Sequence, residues 1–178
     1  MIKLLKKFAA QPKKQLLLSA AIAVLCTISF GLFFAKGVTD AGGDGYETFR
    51  ITFYSMARSF YFNAPLFIGY IFPLFVGILT FIPCKQGKVY LLFSAVLLAC
   101  GVMCALTFEC YLLPFDEEIK EFVTKSGTHV AAAPVAAACM TLLAAVLCAV
   151  KAFSPTCNSE EKPAPAEGAA PAQEGQEA

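Results

Sequence analysis

Four stretches of the sequence contain no Asp, Glu, Lys or Arg: residues 15–35, 59–84, 89–108 and 126–150, of 21, 26, 20 and 25 residues. A helix rises about 1.5 Å per residue, so roughly 20 residues match a hydrocarbon core about 30 Å thick. This constrains the fold more than any other feature. Each stretch predicts a membrane-spanning helix, with spans at about 15–35, 62–83, 89–109 and 129–151. Composition agrees: 58% of residues are hydrophobic and 15% charged, with a mean hydropathy of +0.66. Soluble domains average about 45–50% apolar and about 25% charged. The expected fold class is therefore all-α, an integral membrane four-helix bundle. It has a basic amphipathic N-terminus (1–14), a four-span domain (15–153) and a disordered Pro/Ala/Glu-rich tail (154–178).

The net charge of +1 conceals a strong polarity. Lys3, Lys6, Lys7, Lys13 and Lys14 precede the first span, Lys85 and Lys88 lie between the second and third, and Lys151 closes the fourth. Lys and Arg near span ends stay cytoplasmic. Both termini and the short middle connection are accordingly expected inside, in a plasma (inner) membrane. The loops 36–58 and 109–125 are expected outside. A cleaved signal peptide is not expected, because the first uncharged stretch exceeds the usual 7–15 residues. With no Trp in the chain, Tyr and Phe must form the interfacial belts.

Helices pack in lipid through small residues that let backbones approach. Ser19, Ala23, Thr27, Gly31 and Ala35 form one such stripe; Gly69, Pro73 and Gly77 form another; Ala137, Thr141, Ala145 and Ala149 form a third. Pro73 is expected to kink the second span. The similar runs LLLSA at 16–20 and LLFSA at 91–95 are compatible with an internal duplication.

The outer loops are expected to carry amphipathic segments. After the glycine turn DAGGDG (40–45), Asp44 and Glu47 read as a helix start. Phe49, Phe53, Met56 and Phe60 then share one face, beside a stripe of Arg50, Tyr54, Arg58 and Tyr61. In the second loop a short helix is expected from Pro114 and Asp116, carrying Glu117, Glu118 and Glu121 and stopping at Gly127. Charge complementarity suggests that this acidic segment docks beside Arg50 and Arg58. The interaction candidates are therefore Gly69, Pro73, Gly77, Phe49, Arg50, Phe53, Arg58, Glu117 and Glu118.

The eight cysteines include no CxxC, and Cys110 alone lies near the outer face. A disulfide-forming oxidase is excluded on that ground. Cys100, Cys104 and Cys139 are the candidate soft-metal ligands, against the plainer reading of cysteine as a small hydrophobe. The lone histidine, His129, is expected to be solvated or to cap a helix. No charged residue falls in the middle of a span, which argues against proton-coupled transport. No P-loop, GxSxG or HExxH motif is present.

These readings predict a non-enzymatic membrane protein without cofactor, acting through protein or lipid interactions as an accessory subunit, scaffold or homo-oligomer. Its expected partners are the bilayer, anionic lipids at the basic N-terminus, and other membrane proteins or itself. With no basic patch beyond that N-terminus, nucleic acid is not among them. The alternative functions are a transporter component for a small neutral or apolar solute, with its path around Pro73, and soft-metal handling.

Overall fold

The computed structural model describes residues 12–56, 59–82, 87–112 and 117–154. Residues 1–11 of the amphipathic N-terminus, Arg58 and the Pro/Ala/Glu-rich tail from residue 155 lie outside the described residues.

The chain is mainly helical. Its long elements are α1 (Lys13–Gly31), continued by a 3-10 turn at Leu32–Phe34, then α3 (Ala64–Leu79), α4 (Gly87–Ala105) and α7 (Ala132–Ala152). Three of them are long and apolar enough to cross a membrane: Lys13–Phe34, Gly87–Ala105 and Ala132–Ala152, with hydropathies of 2.4, 2.0 and 2.3. The fourth, α3, has 16 residues and a length of about 24 Å, shorter than the expected 62–83. Its start is fixed by Asn63, whose side chain accepts from the Leu66 amide, and by Pro65 in the first turn, where no amide partner is needed.

These four helices touch in a closed order: α1 on α3, α3 on α4, α4 on α7 and α7 on α1. Each runs antiparallel to its neighbours. Ser19 and Phe33 of α1 meet Thr80 and Tyr70, at opposite ends of α3. Along α4 and α7, Ser94 meets Ala145 and Tyr90 meets Cys148. One core cluster, at the end marked by Lys151, contains Ile22, Cys26, Val76, Tyr90, Leu97 and Cys148. The other, at the opposite end, contains Phe33, Ile51, Leu66, Tyr70 and Cys104. Outward positions such as Leu17, Phe75, Leu92, Leu143 and Val146 are apolar and more than half exposed.

The small-residue stripes meet this packing unevenly. In α1 the buried face is Gln15, Ser19, Ile22, Cys26 and Ser29; Thr27 and Gly31 of the expected stripe are exposed. In α7, Ala137, Thr141 and Ala145 are buried as the stripe requires.

The chain is not wholly helical. Strands β1 (Lys36–Thr39), β2 (Gly45–Glu47) and β5 (His129–Val130) form an antiparallel sheet in the order β2-β1-β5. Gly43 turns the β1–β2 connection at a φ of 82°, a conformation that favours glycine. The long amphipathic helix expected after Asp44 is overturned. A five-residue helix, α2 (Thr48–Thr52), gives way to a hairpin of β3 (Phe53–Met56) and β4 (Ser59–Phe62). Aromatic residues dominate both strands, and they favour cross-strand pairing on a pleated surface over helix. Beyond α4 the backbone breaks at Leu106 before α5 (Thr107–Leu112), since the Thr107 hydroxyl donates to the Cys104 carbonyl (2.6 Å). The acidic helix α6 (Glu117–Lys125) forms as expected, and Gly127 follows it at a φ of 77°. The fourth span begins three residues late, because His129–Val130 is strand.

Candidate functional site

The two ends of the molecule differ chemically. At one end, the terminal turns of all four long helices converge on Lys151, which is fully buried. Its Nζ donates to Ser19 Oγ (2.5 Å) and to the Thr80 carbonyl (2.6 Å), and lies 4.5 Å from the centre of the Tyr90 ring. Ser19 Oγ in turn donates to the Thr80 carbonyl (2.9 Å), and Tyr90 donates to the Ile82 carbonyl (3.0 Å). A buried ammonium is costly unless it is hydrogen-bonded. Here it gains two acceptors, an aromatic face and the carbonyl-rich C-terminal end of α3, where the helix dipole favours a cation. The sequence placed Lys151 as a flanking, topology-setting charge. The missed signal was Ala152 and Phe153, which continue the apolar sequence past the lysine.

Gly69 and Gly77 are contact points within the chain. A Cβ at Gly77 would lie 3.1 Å from Cys26 Cβ and 3.3 Å from Ala23 Cα, and one at Gly69 would lie 3.0 Å from Met103 Cβ. α3 therefore uses one glycine against α1 and the other against α4. Pro73, also buried, sits inside α3 without ending it. Proline has no amide, so the Gly69 carbonyl loses its partner four residues on. Cys104 Sγ donates to that carbonyl (3.4 Å), and Cys100 Sγ donates to the adjacent Ile68 carbonyl (3.8 Å). These thiols patch the backbone beside a proline. Cys139 is exposed on α7, and no group of three metal-capable side chains occurs among the described residues.

The opposite end is a small folded cap. Pairing of Val38 with Val130 and of Thr39 with His129 joins the first loop to the start of α7. His129 Nδ1 lies 3.0 Å from the Gly127 carbonyl and Nε2 lies 3.2 Å from Thr39 Oγ1. A carbonyl only accepts, so Nδ1 donates to Gly127. The two loops thus meet through backbone pairing. Among the described residues the ion pairs are local: Arg50 with Glu47 (3.3 Å), Lys120 with Glu117 (2.8 Å) and Lys125 with Glu121 (2.6 Å). Glu118 is exposed.

Phe49 and Phe53 belong to an aromatic cluster beneath the cap. Phe49 packs on Phe33 (5.7 Å), Phe34 (5.9 Å) and Phe53 (5.2 Å), and Phe53 packs on Phe62 and Phe67. Above them lies an open cavity of about 530 Å³ lined by Asp40, Asp44, Tyr46, Tyr111, Ser126 and Thr128, among others. The Tyr46 and Tyr111 rings, both in its lining, stack on each other at 6.2 Å. Neither tyrosine was singled out as a site residue from sequence, because their partnership depends on the β1–β2 hairpin.

Comparison of the chain with protein-family models, curated proteins and solved structures finds no match.

Proposed function

We propose that this chain is a non-enzymatic, four-span protein of the plasma (inner) membrane, with both termini cytoplasmic, that acts through contacts made by its outward cap. In this reading α3 crosses with the other three as one member of a four-helix bundle. Its outward residues Ile68, Phe72, Phe75 and Ile78 are apolar, and local bilayer thinning accommodates a short span at modest cost. The lysine-rich connections favour placing the Lys151 end inside. The phenylalanine cluster under the cap then falls at the outer interface, where aromatic belts sit.

The open cavity lined by the stacked Tyr46 and Tyr111 carries the functional reading. Several polar side chains inside the bundle join helices: Ser19 with Thr80, Ser29 with Thr141 (2.9 Å) and Ser94 with Ala145 (2.9 Å). Gly69 and Gly77 are likewise occupied within the chain. Recognition therefore falls to the cap, whose tyrosines, carboxylates and hydroxyls suit a polar protein surface. Native mass spectrometry after gentle extraction from the source membrane tests this. The expected result is a stoichiometric second subunit that is lost with Tyr46→Ala. A chain that carries solute across vesicles by itself and retains no partner would refute it.

A further inference from the structure

An apolar groove runs over the last half of α7, open between α1 and α4. Small residues, Ala145 and Ala149, recess α7 there, while Leu18, Leu98, Leu142 and Val146 form the walls. Its volume is about 700 Å³. At the mouth stand Lys14 and Ser154, and its other lining residues include no acid. Lys14 is exposed and makes no ion pair among the described residues. Ser94 also lines the groove, but its hydroxyl already donates to the Ala145 carbonyl.

We infer that this groove binds one acyl chain of an anionic phospholipid, with Lys14 receiving the phosphate. The inference rests on the membrane-spanning reading above. Two observations select the occupant. From Leu142 to Phe153 the groove covers eleven residues of rise, about 17 Å, which is close to half of a hydrocarbon core about 30 Å thick. An acyl chain occupies one leaflet, whereas a partner helix or a second copy of this chain would cross both and need a groove along all of α7. The lysine at the mouth, in a segment whose sequence carries five lysines and no acid before residue 15, complements an anionic headgroup at the cytoplasmic surface.

The test uses the full chain purified in detergent, with native mass spectrometry and thermal melting as readouts. Phosphatidylglycerol, phosphatidylcholine and glycerol phosphate are added separately. One phosphatidylglycerol per chain should be retained and should raise Tm, phosphatidylcholine should be retained roughly tenfold less or worse, and glycerol phosphate should have no effect. Lys14→Glu should abolish the preference for the anionic lipid. Val146→Trp, at an exposed position, should block retention of both lipids while leaving the lipid-free melting unchanged. Equal retention of the two phospholipids, a Tm rise with glycerol phosphate alone, or undiminished retention by Val146→Trp would each overturn the inference. Alkaline carbonate extraction of the same membranes reads the spanning assignment separately.

Discussion

At the residue scale, Lys151 shows how a charge is kept inside an apolar core. The ammonium is held by Ser19 and the Thr80 carbonyl against Tyr90, so removing Ser19 Oγ strips an acceptor from a buried cation. Ser19→Ala should cost about 1–3 kcal/mol, measured by thermal melting in detergent, whereas Thr27→Ala, at an exposed position, should change little. The link between Cys104 and Pro73 gives a second test. Cys104→Ser keeps a donor for the Gly69 carbonyl, whereas Cys104→Val leaves that carbonyl open. The valine variant should be the less stable of the two, and equal melting would remove the patching role. Cys110, in the cap, has its thiol pushed up by burial and then by the adjacent Glu109 carboxylate. Its thiolate is therefore scarcer at neutral pH than that of an ordinary cysteine. Alkylation of Cys110 should stay slow at pH 7 and accelerate only above the usual thiol range near 8.5. By the same sign, Cys110 favours the folded state less as pH rises beyond that range, because the unfolded chain releases the proton first.

Among the elements, the helices were legible because apolar length is a local property; the cap was not. The positions of α1, α4 and α7 follow from charge-free runs, and Gly127 marked the end of α6 as expected. The hairpin β3–β4 escaped notice because phenylalanines four apart also satisfy a helical period, and only cross-strand partners separate the two readings. Pairing of Thr39 with His129 joins residues ninety apart, a distance over which sequence periodicity carries no information. Arg58, half of the arginine pair expected to dock α6, lies outside the described residues, while Arg50, Glu117 and Glu121 each find a partner one turn away, which costs less entropy than a long-range pair. The glycines of α3 meet close neighbours in the same chain. Gly77→Leu should destabilise the isolated chain by about 1–3 kcal/mol through overpacking, read by melting at fixed oligomeric state. Gly31→Ala meets nothing within 4 Å and should be neutral or stabilising by up to about 1 kcal/mol.

For the whole molecule, the closed order of four antiparallel helices and the cap at one end suit a protein that presents a small folded surface on a membrane-embedded support. The number of crossings is the central claim, and α3 decides it. If α3 crosses with α1, α4 and α7, Lys14 and Ser154 lie on the same side of the membrane; if it does not, they lie on opposite sides. The direct measurement is labelling by a membrane-impermeant maleimide on intact cells, after replacing the reactive native cysteines. Single cysteines are placed at Lys14, Asp40, Glu118 and Ser154. The account predicts labelling at Asp40 and Glu118 on intact cells, and at Lys14 and Ser154 only after permeabilisation. Labelling of either Lys14 or Ser154, but not both, on intact cells would contradict it.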